Sequence, residues 1–405
     1  MQNRFQESFN KLSAYCESQS FMGYDPYDGL ESTFFKSLPW LKNNRLARLA
    51  WIQGFKKSPL NLRPLLGVGR GYNPKALGLF LSGYVLLYKS KPEKEYLDKI
   101  NFFSQKILEL STQGYSGHCW GYNFDWESRA FYLPRFTPTI VVSSFVGNAL
   151  LDAFEILSDP NLLKAARSTC DFILNDLNRT YNDKGDFIFS YSGFDNSLVF
   201  NASLLGARLL ARVYSHTGET ALKDEARKSV NYVYDCQNDD GSWTYGKLPF
   251  HQWTDNFHTG YNLECIYDYM RFTGDHSYSP GLEKGYKYYK NTFFRQDGAA
   301  KYYNNSLYPV DIHAPAQFII TTCKLRKLHD DAELVNKVLK WTVSNMQSSR
   351  GYFYYQIKKL FKIRIPYMRW SQAWMFYAMS CYFNETKSLW GDPLVHEDTL
   401  IENNV

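Results

Sequence analysis

The sequence predicts an all-α protein, an (α/α)6 toroid of six helical hairpins with short turn-and-strand insertions at one end. Three observations carry this. A glycine turn followed by aromatic residues recurs five times, starting at positions 113, 182, 237, 296 and 347. Each copy follows a stretch with amphipathic helical spacing and precedes a helix that is apolar nearly all round. The links between successive helices are short, which makes neighbours antiparallel. Alternating half-exposed and buried helices close into an outer and an inner ring, with an open solenoid as the alternative. Closure is favoured because the last repeat ends in an apolar helix and not in a polar cap.

The first 66 residues have to supply the first outer helix, and 10–18 and 43–55 are the candidates. Between them lies the loop Gly23-Tyr24-Asp25-Pro26-Tyr27-Asp28-Gly29. It is a plain connection, or a rim loop that stacks Tyr24 or Tyr27 on a ligand with Asp25 alongside. The segment Gly67-Val-Gly-Arg-Gly71 lacks the Lys-Ser/Thr of a phosphate loop and leads into the inner helix 74–88. Outer helix 95–110, the turn Gln113-Gly-Tyr-Ser-Gly117-His-Cys-Trp120 and inner helix 139–157 follow. Next come 161–177, the turn Asn182-Asp-Lys-Gly185 and 202–214. The clearest unit, Gln237-Asn-Asp-Asp-Gly241-Ser-Trp243-Thr-Tyr245, joins 219–235 to 259–272. The turns at Gln296-Asp-Gly298 and Gln347-Ser-Ser-Arg-Gly351 join 282–294 to 315–325 and 332–346 to 371–383. No Pro/Gly/Ser linker interrupts the pattern, so 1–385 reads as one domain and 386–405 as a loose polar tail.

Composition narrows the function. The chain has 405 residues, 44% hydrophobic and 21% charged, as in a globular protein. No run of about 18 apolar residues stands out, so no transmembrane helix is expected. The N-terminus lacks an apolar leader, which makes the cytoplasm the expected address. The net charge of +6 comes without a long Lys/Arg block, which argues against nucleic acid and suits an acidic ligand. The 7 cysteines are scattered without a CxxC, so neither a disulfide framework nor a cysteine zinc site is indicated. The 32 Tyr, 29 Phe and 10 Trp either fill an aromatic core or stack on sugar rings and isoprenoid chains.

In a closed ring, the residues just before each inner helix share one face, where helix dipoles favour anions. Those residues are Tyr72, Asn73 and Lys75; Asp125, Glu127, Arg129 and Arg135; Asp195, Asn196 and Asn201; Trp253, Asp255, Asn256 and His258; Asp311 and His313; Tyr367, Arg369, Trp370 and Gln372. Hydrolysis of a glycosidic bond needs two carboxylates, and Asp255 with Asp311 is the first pair, Asp125 and Glu127 the second. Elimination or C5 epimerisation of a uronate needs a base such as His258 and a cation such as Arg369. Trp120, Trp253 and Trp370 are expected to stack on sugars, with Asn201 and His313 as further binding residues. Asp255 and Asp311 are also N-cap candidates, His258 and His313 structural histidines, and Arg369 a partner for a structural carboxylate. Asp255-x-x-His258 and Asp311-x-His313 hold nitrogen and oxygen donors, but the spacing is not that of a known metal site. No metal or cofactor is expected.

Gln237-x-x-x-Gly241-x-Trp243 resembles the QW motif of the squalene-cyclase and prenyltransferase toroids, which implies the toroid. Neither their acidic initiator run nor their zinc pattern is present. The loop 23–29, Gly117-His-Cys-Trp-Gly-Tyr122 and Trp253-Thr-Asp-Asn-Phe-His-Thr-Gly260 resemble bacterial proteins of surface-polysaccharide gene clusters, which are similar to six-hairpin glycosidases. This resemblance spans roughly residues 15–385. It implies a carbohydrate-active enzyme of capsule, O-antigen or exopolysaccharide synthesis. Its partners would be a glycan or lipid-linked saccharide and other polysaccharide-synthesis proteins. A non-catalytic glycan- or protein-binding scaffold and an isoprenoid-binding protein are the alternatives.

Overall fold

The computed structural model describes residues 2–390. Its helices in chain order are α1 Gln2–Ser18, α2 Thr33–Lys36, α3 Pro39–Lys42, α4 Arg45–Lys57, α5 Pro74–Ser90, α6 Lys94–Glu109, α7 Ile140–Leu157, α8 Pro160–Asn175, α9 Phe200–Thr217, α10 Thr220–Tyr234, α11 Asn256–Thr273, α12 Ser279–Phe293, α13 His313–Lys324, α14 Leu328–Met346 and α15 Trp374–Trp390. Short antiparallel strands pair as β1 Trp126–Glu127 with β2 Tyr132–Leu133, and β3 Arg179–Tyr181 with β4 Phe187–Phe189. A third small sheet has β6 Gln356–Ile357 between β5 Val310–Asp311 and β7 Lys362–Ile363.

The ring is closed. Helices α5, α7, α9, α11, α13 and α15 pack each on the next, and α15 returns to α5. Helices α6, α8, α10, α12 and α14 form the outer layer, and α1 completes it by packing on α14 and α15. The first outer helix is therefore α1, which contains the 10–18 candidate. The 43–55 candidate is helical too, as α4, but lies elsewhere. The last inner helix runs to Trp390, so 386–390 is helix and not tail. Residues 391–405 lie outside the described residues.

Local chemistry sets these elements. Asn73, Thr139 and Asp255 cap α5, α7 and α11 by accepting the free N–H groups of the first turn. The turn motif ties neighbouring repeats together. Gln237 donates its amide to the carbonyls of Gly241 and of Gly281 on α12, at 3.0 and 2.9 Å. Gln347 makes the same clasp to Gly351 and to Ser8 on α1, at 2.8 and 2.9 Å, which closes the outer layer. Gly241 and Gly351 have φ of +92° and +95°, and a Cβ at either would strike a backbone carbonyl of the next outer helix, Lys284 or Lys11. The tryptophan of the motif is also structural. The buried Trp243 indole donates to the Val233 carbonyl at 3.0 Å, in the last turn of α10. Trp120 repeats this at the end of α6, donating to Ile107 at 2.8 Å, and is fully buried.

Helix α7 bears on the expectation that no helix crosses a membrane. It has 18 residues and a mean hydropathy of 1.6, long and apolar enough to cross a membrane by length and composition. It is an inner helix here, 67% buried among α5, α8 and α9. Further along the inner helices, ion pairs fill the ring: Arg208–Asp268 and Arg212–Asp152 at 2.7 Å, and Lys324–Glu264 at 3.3 Å. Aromatic side chains seal the seam between first and last helices, with Phe9 and Phe376 centroids 5.0 Å apart and Phe21 and Phe80 also 5.0 Å apart. Replacement of Gly351 by Ala is expected to cost about 1–3 kcal/mol, from φ strain and the clash with α1. Gly54→Ala, in open space on α4, should be neutral or stabilising by about 1 kcal/mol; denaturant melts compare the two.

Candidate functional site

A cavity of about 530 Å³ opens where the N-termini of the inner helices meet. Lys75 of α5, Val141 of α7, Asn201 of α9, His258 of α11 and His313 of α13 all line it, as do Arg369 and Trp370 just before α15. Six hairpins therefore deliver their pre-helix residues to one hollow. Helix α4 covers one side through Ile52, Gln53 and Lys56, and Tyr27 of the early loop reaches in.

Asp255 organises one wall. Its Oδ1 accepts the His258 backbone N–H at 3.0 Å, the capping bond of α11. Its Oδ2 takes the Trp253 indole N–H at 3.0 Å and the His258 Nδ1 at 2.7 Å. With Nδ1 held there, Nε2 is the nitrogen left to take or give a proton. Trp253 stacks on Tyr245 at 4.6 Å, and both rings line the cavity.

His313 forms the next wall. Its Nε2 meets the Tyr261 hydroxyl at 2.7 Å, and its Nδ1 is buried without a partner. Burial, helped by the charges of Lys75, His258 and Arg369, pushes its pKa well below that of a free imidazole, so the ring is neutral. Burial holds the Tyr261 phenol protonated. The phenol therefore donates to Nε2, and the proton of the neutral ring sits on Nδ1. His258 and His313 both stand beside Phe257, with ring centroids 4.3 and 4.4 Å from it.

The cations differ sharply. Arg369 is already neutralised by a two-pronged pair to Asp25, Nε to Oδ2 at 2.6 Å and Nη2 to Oδ1 at 2.8 Å. Lys75 is buried and, among the described residues, makes no ion pair. Its ammonium lies 4.0 Å from the Phe145 ring centroid and 5.3 and 5.5 Å from those of Trp374 and Tyr261. Burial, with repulsion from Arg369, pushes its pKa well down. An anionic ligand group is the partner that this amine lacks.

Several expected site residues are placed elsewhere. Asp311 is fully buried off the cavity and braces it, accepting from the His313 backbone N–H and the Trp370 indole at 2.9 Å each, and from Gln356. It does not face Asp255, its expected acid/base partner, across the cavity. Trp120 is a core clamp and cannot stack on sugar. Tyr24 lies behind the wall, its carbonyl taking the Met368 N–H at 3.1 Å, and Asp25 is the counter-ion of Arg369. Asp125 accepts from the Arg135 backbone at 2.7 Å and does not line the cavity, while Glu127 lines it but is paired with Arg45 and Arg48. Asp255, His258, His313, Asn201, Trp253, Arg369 and Trp370 do come together, and the buried Oδ1 of Asn201 is unpaired. Tyr261 and His251 were not foreseen. Tyr261 follows His258 by three positions, which puts both on one helix face; His251 lies in an irregular loop with no such signal. Among the described residues, no group of three His, Cys, Asp or Glu side chains is arranged to hold a metal ion.

No protein-family model matches the sequence, and no curated protein matches it. Solved structures do. Cellobiose 2-epimerase from Bacillus thermoamylovorans superposes with a TM-score of 0.61 at 14% identity, over 78% of this chain and 88% of that one. A family 76 α-mannanase from Bacteroides thetaiotaomicron gives 0.59 at 12% identity, over 78% and 87%. An unsaturated glucuronyl hydrolase specific for heparin gives 0.58 at 12% identity, over 77% and 86%. The chain has the six-hairpin fold of these proteins.

Two predictions follow from the walls of the cavity. Lys75→Met should raise the melting temperature, because it removes an unpaired buried amine, by about 1 kcal/mol or more in stability; calorimetry reads it. The pKa of His251 is lowered by burial from 6.5 to about 4. Between those values the unfolded chain takes up a proton that the folded chain refuses. Stability is therefore full above about pH 6.5 and falls as pH drops towards about 4. His251→Gln should flatten that fall in melts run across the window.

Proposed function

We propose that this chain is a carbohydrate-active enzyme that moves a proton at a sugar carbon, epimerising or eliminating on an acidic sugar, and does not hydrolyse with two carboxylates. The observation that carries this is the Asp255–His258 pair opening on the same cavity as the neutral His313–Tyr261 pair. Two-carboxylate hydrolysis lacks its parts, because Asp311 is off the cavity and Asp255 and Glu127 are engaged.

In this reading His258 Nε2 takes the proton from the carbon beside a carbonyl or carboxylate, and Asp255 steadies the imidazolium that forms. Charge then develops on the oxygen. The His313 Nδ1–H and the Lys75 ammonium are the donors that meet it. A uronate carboxylate supplies the counter-ion of Lys75 and restores its proton. The aromatic walls, Trp253 above all, stack on the sugar face. Delivery of a solvent-derived proton to the opposite face of the carbon, followed by loss of the first proton from His258 to solvent, gives epimerisation; departure of a C4 substituent gives elimination. Among the structural neighbours, the epimerase supports a change at a sugar carbon, and the glucuronyl hydrolase supports an acidic sugar. The resemblance of loop 23–29 and segments 117–122 and 253–260 to surface-polysaccharide proteins supports a place in bacterial surface-polysaccharide synthesis.

The test is incubation with acidic oligosaccharides in deuterium oxide, following deuterium at the sugar carbon, unsaturated-uronate absorbance and reducing ends. Deuterium uptake or absorbance is expected, and His258→Gln should lower it by about 10²-fold or more with the melting temperature unchanged. New reducing ends without either signal would overturn the proposal. So would glycan retention without turnover, or an active His258→Gln.

A further inference from the structure

The charge of the chain is unevenly placed. Positions 32–92 hold eleven Lys or Arg and no Asp or Glu, and 334–384 hold eight and none. The remainder of the sequence is net negative. Parts of these two stretches meet beside the cavity mouth. Helix α4 lines the cavity through Gln53, Lys56 and Lys57. The β6–β7 tip stands next to it: burial lowers the pKa of Lys358, Asp311 opposes this, and the nearby Lys56 and Lys57 lower it further.

The same two stretches expose large apolar side chains. Trp40 is 70% exposed, Leu46 74%, Leu60 68%, Leu65 82% and Leu360 89%, with Phe361 beside it at 44%. The first four lie on a single segment, α3 to the loop after α4, and the last two on the β6–β7 tip. Soluble surfaces rarely gather such side chains. Among the described residues, Lys42, Lys57, Lys358 and Lys359 make no ion pair, although Arg45, Arg48 and Arg63 nearby are paired. Unpaired lysines around protruding Trp, Leu and Phe are the features of a surface that enters the headgroup layer of an anionic bilayer. The lysines meet lipid phosphates, and the apolar tips reach the acyl boundary.

We propose that this face docks on an anionic lipid surface and holds the cavity mouth against it. A substrate carried on a lipid would then reach the site without leaving the membrane plane. The docking itself does not rest on the proton-transfer reading, since it uses none of the cavity chemistry.

The test is sedimentation of the full chain with phosphatidylcholine vesicles and with vesicles containing about 30% phosphatidylglycerol. Binding to the anionic vesicles at low salt is expected, at least about tenfold weaker on neutral vesicles or in about 0.5 M salt. Trp40→Ser/Leu65→Ser/Leu360→Ser and, separately, Lys42→Glu/Lys359→Glu should each weaken it about tenfold. These positions are on the surface, so the melting temperature should hold and shows that each variant is folded. Absence of binding to anionic vesicles, or equal binding by wild type and both variants, would overturn the proposal. A dimer in solution that the same substitutions dissolve, with no vesicle binding, would mark the face as a contact between copies and also overturn it.

Discussion

Asp25 and Arg369 stand 344 positions apart and form a two-pronged ion pair that both residues bury. A ring of helices has no stable form until its ends meet, and this pair is where they meet at the cavity. The desolvation of two charges is offset only when both are present with good geometry. Around it, the Met368 N–H bonds the Tyr24 carbonyl, and Gly23 pairs with Gly71. At the outer layer, the Gln347 clasp on α1 does the same work. The site therefore has its geometry only in the closed chain, because Arg369 and Trp370 come from its last hairpin and Tyr27 from its first loop.

The cavity is held by a second set of bonds that no single repeat contains. Asp311 grips the Trp370 indole, the start of α13 and Gln356 of β6. That fixes the edge of Trp370 against His313, whose ring centroid is 4.9 Å away. Asp255 fixes Trp253 and His258 in the same way. Two aspartates at equivalent places in neighbouring repeats thus do different work. One orients a histidine that lines the cavity, and the other locks the wall behind it.

Aromatic abundance turns out to serve the core and the site together. Trp120, Trp243, Phe80 and Phe376 are buried in packing, while Trp253, Tyr245 and Tyr27 line the cavity. The neutral His313 and the unpaired Lys75 are consequences of that setting. Rings surround both groups, and a low dielectric penalises their charged forms. Aromatic rings make up much of the cavity lining around both groups.

The sequence by itself determined the helical hairpins, their number and their alternation, because helical spacing and turn chemistry are local properties. It also determined that the residues before the inner helices converge, since antiparallel hairpins put every inner N-terminus on one side. It did not distinguish Asp255 from Asp311, or Trp253 from Trp120, because each pair occupies similar positions along its repeat. Tertiary structure decided these. The Trp370 and Gln356 donors draw Asp311 off the cavity, and the Ile107 carbonyl in the last turn of α6 holds Trp120 in the core. Such partners come from distant segments, so the direction of a side chain depends on neighbours that only the closed ring brings within reach.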